Sequence, residues 1–588
     1  MTISGIVLTL FEAPFLMNKA LFFLLIFILC FVTNASSQDW DWAVNCGNTS
    51  SDKALDVALD QQGNVFVSGY FNDNGIFGSI NLTPNAFSKE AFICRLDSSG
   101  NFIWARSGGG FFDDRGLGLT VDPQGNVIYT GTYWSNAQFG PINLNGSADH
   151  VFVVKLDANG NWLWGSTGGC DGDDHGYDLV TDPAGNIFLT GYLSTHYGPP
   201  VCTAVFGSLP TFPVTDSIAF VARMSPTGQW VWVKTFGGTD VQRDNDIALD
   251  SAGNIYIAGG FYRTRTFGTT TVSSNNNSRD IFVVKYDANG NFQWVRTAGS
   301  AYDDRANGIA INDEQQIYIT GEFRDEVAFG TDTINNHGGP NGRDIFVARL
   351  TTDGNWVWAK RAGSTSGGES GRAITVNDKG NVFVTGNCKG NVHFGNDTTF
   401  NTGADSVQVF VAAIDTTGDW KWAIQGGGPA EDRGYGIAVD TSCRLYVCGY
   451  FDLPTAGFGT TTLATYGKKD GFIARVDRPC FDYSIQDTTT IPVVPECKAI
   501  PPNVFTPNAD GVNDYFELAD ASCVTAVNFK CYNRWGQIVY NGSSPLLKWD
   551  GKTADGKLLS DGVYYYALEI TFINGTTEVK KGWFSLIR

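Results

Sequence analysis

Histidine, charged side chains and long apolar runs are all scarce in this 588-residue chain, in which only 17% of residues are Asp, Glu, Lys or Arg. The five histidines lie in separate segments without metal-ligand spacing. No CxxC pair or Cys/His cluster predicts zinc. Acid–base and metal catalysis need several ionisable or metal-binding side chains close to one another, so the sequence offers no evident catalytic centre.

The longest apolar run near the start, Ala20 to Val32, has thirteen residues, fewer than the roughly 18 of a membrane-spanning helix. It follows the basic segment Met17-Asn18-Lys19 and precedes a small-residue stretch ending at Gln38. This order is typical of a secretory signal peptide. We predict a signal peptide over residues 1–37, with Met17 as an alternative start, and no later transmembrane span.

The 12 cysteines include Cys30, which leaves with the signal. An exported chain can keep disulfides, and spacing favours Cys480 with Cys497 and Cys523 with Cys531, although connectivity cannot be deduced from sequence. The formal net charge of −20 argues against nucleic acid as a partner.

Composition and self-similarity predict an all-β chain. The sequence has 70 Gly, 41 Phe, 22 Tyr and 16 Trp, which fits short strands joined by tight turns. Four strand-like segments recur with a period of about sixty residues. The first ends at an Asp or Asn in each of seven repeats: Asp60, Asp122, Asp182, Asp250, Asn312, Asn377 and Asp440. A PheGly pair and an aromatic-x-Trp segment also recur seven times.

The two ends of the repeat region complement each other. The chain begins with a fourth segment, Trp40-Asp41-Trp42, and the last repeat stops after its third, Phe472 to Asp477. An N-terminal strand that completes the last sheet removes the free sheet edges. We therefore predict a seven-bladed β-propeller over residues 38–478, closed by the N-terminal strand. The repeat resembles bacterial β-propeller repeats, a resemblance that implies fold and not activity.

An acidic residue stands eight positions before the end of the first segment in six of the seven repeats: Asp52, Asp114, Asp174, Asp304, Glu369 and Asp432. A basic residue usually follows it, as at Arg115, Arg305 and Arg433. One interpretation is a ligand-binding ring on one face of the propeller. The alternative is a set of ion pairs or turn caps that fix each blade to the next. The third repeat also carries an insertion, Ser194 to Pro213, which serves either binding or structure.

A new domain, residues 500–588, follows a Thr- and Pro-bearing linker at 479–499. Its segments PPNVFTPNADGVNDYFEL, YNRWGQIVY, WDG, DGVYYYALEI and GWFSLIR together resemble the gliding-motility-associated (type B) sorting domain of type IX secretion substrates. The motif residues are Asn508, Asp510, Gly511, Asn513, Asp514, Arg534, Trp535, Gly536, Trp549, Asp550, Gly551, Asp561, Gly562 and Arg588. The resemblance implies the type IX secretion machinery as a partner and export to the medium or cell surface.

Alternating apolar residues between Gly and Asp turns predict that this domain is a small Ig-like β-sandwich. Asn508, Asp510, Asn513 and Asp514 form an oxygen-rich cluster that suits calcium, with a sharp turn as the alternative. No other cofactor is expected.

The sequence as a whole predicts a secreted or cell-surface binding or adhesion protein, with the propeller as a platform for an unknown glycan or protein. An extracellular polysaccharide hydrolase or lyase is one alternative. A structural component of a gliding or biofilm surface is another.

Overall fold

The computed structural model describes residues 40–85, 88–195, 201–215, 217–237, 245–339, 342–395, 398–403, 406–477, 480, 501–508, 513–518, 524–544, 547–572 and 577–588. The chain divides into two compact units, Met1–Phe481 and Asp482–Arg588. The predicted signal peptide and most of the predicted linker lie outside the described residues.

The first unit contains seven antiparallel sheets, each built on four repeated strands, and a hairpin extends three of these sheets to six strands. This arrangement confirms the all-β class. The innermost strands are Lys53–Leu59, Arg115–Val121, His175–Thr181, Asp246–Leu249, Arg305–Ile311, Ser370–Val376 and Arg433–Val439. The second strands are Val65–Phe71, Val127–Trp134, Ile187–Leu193, Ile255–Tyr262, Ile317–Phe323, Val382–Lys389 and Arg444–Asp452. The third strands are Glu90–Leu96, Asp149–Leu156, Ile218–Met224, Arg279–Tyr286, Asp344–Leu350, Val407–Ile414 and Lys469–Asp477. The fourth strands are Phe102–Gly108, Trp162–Gly172, Trp230–Phe236, Phe292–Ala298, Trp356–Gly363 and Trp420–Gly426, with Trp40–Gly47 in the seventh sheet.

The seventh sheet joins the beginning and the end of the unit. Trp40–Gly47 pairs antiparallel with Lys469–Asp477, with Ala43 opposite Ala474. The innermost strand of the first sheet contacts the innermost strands of both the second and the seventh sheets. The sheet that starts the repeat is therefore in contact with the sheet that ends it.

The turn after each innermost strand explains the recurring Asp and Asn. In the first sheet, the Asp60 carboxylate accepts hydrogen bonds from the backbone of Gln62 at 2.9 Å and of Asn64 at 2.8 Å. Gly63 adopts a φ of 78° between them, which glycine accommodates without strain. This turn delivers the chain into a second strand that is buried along its whole length, Val65–Phe71, as expected of a strand covered on both faces.

A short hairpin that carries the PheGly pair follows each second strand. The hairpins are Gly75–Phe77 with Ile80–Leu82, Ala137–Phe139 with Ile142–Leu144, Cys202–Phe206 with Phe212–Val214, Thr264–Phe267 with Thr270–Ser273, Glu326–Phe329 with Asp332–Asn335, Asn391–Phe394 with Thr398–Asn401, and Thr455–Phe458 with Thr461–Ala464. In several repeats the hairpin pairs with the fourth strand of the preceding sheet, as Phe206 does with Gly168. A Cβ atom at Gly168 would lie 2.2 Å from the Phe206 ring, so glycine is required where the phenylalanine packs.

The fourth-strand tryptophans fill the space between adjacent sheets, as predicted. The Trp104 indole donates to the Ala158 carbonyl of the next sheet at 3.0 Å, and Trp358 donates to Thr416 at 2.9 Å. Both indoles are buried. The tryptophan core therefore carries a repeated hydrogen bond as well as apolar contact.

The disulfides differ from the favoured pairs. Cys480 bonds with Cys443, and Cys170 bonds with Cys202. The pairing of Cys480 with Cys497 is therefore wrong. Cys531 is a buried free thiol, which contradicts its pairing with Cys523. The first unit supplied the partner of Cys480 because the turn that holds Cys443 lies beside the end of the repeat region, a proximity that linear spacing does not reveal.

The second unit packs a five-stranded sheet against a two-stranded one. The larger sheet has the order Val504–Phe505, Thr577–Leu586, Gly562–Phe572, Val524–Tyr532 and Ile538–Ser544, and the smaller pairs Phe516–Glu517 with Lys548–Trp549. The Phe516 ring stacks 4.9 Å from Phe529 across the two sheets. Among the described residues, no helix is long and apolar enough to cross a membrane.

Candidate functional site

The seven innermost strands line a cavity of about 530 Å³. Six of these strands contain a β-bulge at one repeated position, occupied by Leu55, Leu117, Tyr177, Asn307, Arg372 and Tyr435. All six bulged residues line the cavity. A bulge re-aims a side chain relative to a regular strand. The same backbone feature, repeated in six strands, therefore presents leucine, tyrosine, asparagine and arginine side chains to a common space.

The predicted acidic ring lies elsewhere. Its six carboxylates are buried, and none of them lines the cavity. Asp114 accepts hydrogen bonds from the backbone of Gly110 at 2.7 Å and of Trp134 at 3.0 Å. Asp52, Asp174, Asp304 and Asp432 each make the same two backbone contacts in their own repeats, and Glu369 accepts from Ser364 Oγ. These carboxylates anchor loops, which is the structural one of the two interpretations.

The basic residues that follow the repeated acidic residue in the sequence divide into two groups. Arg115 and Arg305 line the cavity, together with Lys53. Arg433 pairs with Glu431 instead. Arg305 also lies 3.3 Å from Glu322, where Arg343 contacts the same carboxylate at 2.9 Å. Burial alone would raise the pKa of Glu322, but the positive charges of the two arginines have the larger combined effect and lower it to about 2.

Two further cations meet at one tyrosine beside the cavity. The Arg372 guanidinium carbon lies 4.9 Å from the centre of the Tyr435 ring, and Lys53 Nζ lies 5.7 Å from it. Lys53 Nζ is also 4.4 Å from the Tyr450 ring. Arg372 Nε donates to Asn387 Oδ1 at 2.9 Å. We call Lys53, Tyr435 and Arg372 the cationic cluster; sequence inspection missed Arg372 and Tyr435 because neither belongs to the repeated pattern.

Three carboxyl groups line the cavity among the innermost strands. Asp56 Oδ2 accepts from the Leu119 backbone of the second sheet at 2.8 Å, and Asp246 Oδ2 accepts from the Ile309 backbone of the fifth at 2.7 Å. Asp178 is hydrogen-bonded to Asp246. Burial, and then the neighbouring Asp246, raises the pKa of Asp178. These groups tie adjacent sheets together around the cavity.

The insertion of the third repeat is attached to the second sheet. Cys202–Phe206 pairs with Trp162–Gly172, and Cys202 bonds covalently with Cys170. Residues 196–200 of the insertion lie outside the described part of the chain. These contacts give the hairpin a structural role, because it joins the second sheet to the third.

Several sorting-motif residues of the second unit make contacts that hold its fold together. Trp549 is buried and donates to the Lys552 carbonyl at 2.7 Å, whereas Trp535 is 71% exposed beneath the Arg534 guanidinium. Arg588 donates to the carbonyls of Leu559 and Gly551, which anchors the C-terminus. Asp550 pairs with Lys552, and Gly536, Gly551 and Gly562 have positive φ, while Asp561 is exposed.

The calcium hypothesis falls partly outside the described residues, because Asp510 is not among them. The sorting-motif residue Gly511 also lies outside the described residues. Thr506 donates its backbone N–H to Asn513, and Asn508 donates to Thr506, so these residues form a compact turn. Asp514 follows directly. Within the described ranges, no group of three or more His, Cys, Asp or Glu side chains is arranged to hold a metal ion.

Residues 499–586 match the CHU_C type IX secretion signal domain. This match confirms the predicted sorting domain, and it identifies a secreted or cell-surface protein.

Two curated relatives match larger parts of the chain at low identity. An uncharacterised WD repeat-containing protein of Acanthamoeba polyphaga mimivirus is 23% identical over 528 residues, which cover 74% of this chain and 33% of that protein. The regulatory protein FlaEY of Caulobacter vibrioides is 24% identical over 298 residues, 47% of this chain and 30% of its own. The chain thus spans about a third of the length of these relatives.

Solved structures include Sqt1 from Chaetomium thermophilum, with 11% identity, a TM-score of 0.37, and coverage of 74% of this chain and 100% of that one. PorZ, a surface component of the type IX secretion system of Porphyromonas gingivalis, has 10% identity, a TM-score of 0.18, and coverage of 93% and 100%.

Proposed function

We propose that the seven sheets close into a seven-bladed β-propeller and that this propeller binds a ligand in its central cavity. The N-terminal strand in the seventh sheet and the contact between the first and seventh innermost strands support closure. In this arrangement residues 38–478 form the propeller and residues 479–499 link it to the sorting domain at 500–588. Residues 1–37 direct entry into the periplasm, and the sorting domain engages the type IX machinery.

The observation that carries the binding function is the variety at the bulge position. Positions that build the fold repeat closely, as the loop-anchoring carboxylates and the inter-sheet tryptophans do. The bulge position instead carries Leu, Tyr, Asn and Arg, and these side chains line one cavity. Small-molecule sites combine apolar walls with a few convergent polar groups. A purely structural propeller has no need of such varied side chains at equivalent positions.

The hydrolase alternative finds less support. Glycoside hydrolysis uses two carboxyl groups about 5 to 9.5 Å apart, with the sugar between them. Asp178 and Asp246 instead form a direct hydrogen bond, and Asp246 also accepts from the Ile309 backbone. Their arrangement suits the joining of sheets better than acid–base work.

A cavity-filling variant tests the proposal. The mature protein is screened for ligand-induced rises in melting temperature with neutral oligosaccharides, acidic oligosaccharides and peptides. Leu117→Trp fills the cavity, and Ile103→Trp makes the same kind of change at an exposed fourth-strand position. We expect a shift in the wild type and in Ile103→Trp that disappears in Leu117→Trp.

A shift that persists in Leu117→Trp would place the ligand outside the cavity. The absence of any shift across the panel would also count against the binding function. Release of reducing ends during incubation with the same oligosaccharides would favour the hydrolase instead.

A further inference from the structure

The cationic cluster has a surplus of positive charge at the cavity. The charged groups of Lys53 and Arg372 both lie over the Tyr435 ring as cation–π contacts. A cation–π contact is attractive because of the ring quadrupole, but the ring carries no net charge. The tyrosine therefore leaves both positive charges uncompensated.

The neighbouring cations have their own carboxylates. Arg115 pairs with Asp113, and Arg433 and Lys469 both pair with Glu431. Lys53 and Arg372, in contrast, have no carboxylate within ion-pair distance in the described part of the chain. Burial lowers the pKa of Lys53, Tyr435 acts in the opposite direction, and the nearby positive charges of Lys469, Arg433 and Arg372 lower the pKa further. An anion between Lys53 and Arg372 would relieve this repulsion.

The Arg372 side chain is held in place before any ligand arrives. Its Nε atom donates to Asn387 Oδ1, and Asn387 Nδ2 donates in turn to the Gly368 carbonyl at 2.9 Å. A guanidinium whose direction is fixed loses little entropy when it binds an oxyanion, and its planar fork suits carboxylate and sulfate. The backbone bulge and Asn387 together define where an anionic group would bind.

Asn245 supplies an independent sign of a ligand. It lines the cavity, is only 2% exposed, and both atoms of its side-chain amide are without a hydrogen-bond partner in the described part of the chain. It precedes Asp246 as Arg372 precedes Ala373, so the two residues occupy equivalent positions of the repeat. A buried amide without hydrogen-bond partners is unfavourable, and a ligand hydroxyl or carbonyl group would supply the missing partner.

The volume of the cavity and its other lining residues indicate the size and chemistry of the rest of the ligand. A cavity of about 530 Å³ is far larger than an inorganic ion requires, and it includes aliphatic walls from Leu55 and Leu117 and the Tyr177 ring. Apolar and aromatic surfaces with a donor and acceptor in Asn245 suit a polyhydroxylated ring.

We propose that the cavity binds an acidic saccharide whose carboxylate or sulfate group lies between Lys53 and Arg372. This inference rests on the proposed binding function and specifies its ligand. The chain as a whole carries a net charge of −20, so attraction of an anion depends on the local positive charges at the cavity and not on the net charge of the protein.

Affinity measurements with charge-removing variants test the inference. Oligogalacturonates and sulfated disaccharides are titrated by calorimetry into the mature protein, its Lys53→Gln and Arg372→Gln variants, and Lys379→Gln. Lys379 is exposed in the turn that follows the innermost strand of the same sheet as Arg372, so it controls for loss of one charge. Sodium sulfate alone and neutral maltooligosaccharides serve as further probes. Urea unfolding of each variant shows whether the fold is retained.

We expect an acidic saccharide to bind the wild type and Lys379→Gln equally, and Lys53→Gln and Arg372→Gln about tenfold or more weakly. Unchanged affinity in both cluster variants would overturn the inference. Binding of neutral maltooligosaccharides with equal affinity would overturn it too, while leaving the cavity as a binding site if Leu117→Trp abolishes that binding. Tighter binding of free sulfate than of any saccharide would indicate an inorganic anion site and also overturn it.

Discussion

Trp42 donates its indole N–H to the backbone carbonyl of Ser98 at 3.1 Å. Trp42 lies in the fourth strand of the seventh sheet, and Ser98 lies in the turn between the third and fourth strands of the first sheet. Trp104 makes the equivalent bond to Ala158 between the first and second sheets. The contact between the last and the first sheets is thus the same as the contact between consecutive sheets.

Replacement of Trp42 by phenylalanine should destabilise the first unit through loss of this bond. Trp42→Phe is expected to lower the free energy of unfolding by about 0.5–1.5 kcal/mol more than Trp232→Phe. Trp232 occupies the equivalent position, but its indole nitrogen has no partner in the described part of the chain. Urea unfolding monitored by circular dichroism measures both variants. Equal losses would show that the bond to Ser98 contributes nothing measurable.

The acidic ring should affect stability and not ligand binding. Asp114→Asn replaces an acceptor of two backbone N–H groups by an amide that can accept with only one atom, and is expected to cost about 1–3 kcal/mol of unfolding free energy. Asp113→Asn disturbs half-exposed ion pairs with Lys89 and Arg115 and leaves an amide oxygen to accept the hydrogen bond from the Lys89 backbone, so it should cost less than about 1 kcal/mol. Loss of ligand affinity in Asp114→Asn without loss of stability would restore the binding interpretation.

The cavity carboxyl groups should make stability depend on pH. Burial raises the pKa of Asp56 to about 7, and burial also raises the pKa values of Asp178 and Asp246. The native state then holds protons that the unfolded chain, with carboxyl pKa values near 3.8, has released. The resulting stabilisation is complete at low pH and is lost as pH rises from about 4 to about 7, with a slope of up to about 1.4 kcal/mol per pH unit per proton.

Asp178→Asn should reduce this slope because it removes one titrating group while keeping a hydrogen-bonding side chain. Asp287→Asn is the matched control, since its turn carboxyl has a pKa below the ordinary value and does not titrate in this range. Urea midpoints at pH 5, 6 and 7 measure the effect. A slope unchanged by Asp178→Asn would show that Asp178 does not hold a proton in the native state over this pH range.

Peptide mapping without reduction should find Cys443 joined to Cys480 and Cys170 joined to Cys202. Cys46, Cys94, Cys388, Cys448 and Cys531 should resist a thiol reagent until the protein is unfolded, because they are buried. Burial also raises their pKa values, for Cys531 to about 12, which suppresses the reactive thiolate. Rapid labelling of native protein would contradict the described core.

The repeat predicted the strands well because each strand depends on a local pattern. Asp60 with Gly63, and Phe206 over Gly168, are requirements that recur in sequence as they recur in structure. The acidic positions were correctly recognised as repeated, but a sequence does not show whether a carboxylate faces a ligand or the backbone N–H groups of its own loop.

The cationic cluster escaped sequence analysis for the opposite reason. Arg372 and Tyr435 break the repeat at a position where a bulge turns the side chain toward the cavity. Alignment of the seven repeats against one another offers a usable signal, namely the position that varies most within an otherwise uniform strand. The partner of Cys480 was equally hidden, because Cys443 approaches it only after the seventh sheet has formed.

The strand that begins the described chain pairs with the last strand of the first unit to be synthesised. The Asp41 side chain pairs with Arg475, 434 residues farther along. Ordering so long an intervening segment opposes early contact between them, and contacts of such separation slow folding. Synthesis therefore yields a polypeptide whose seventh sheet stays incomplete until nearly all of the repeats have emerged. Under the proposed export, this sheet closes only after its last strand has crossed the inner membrane.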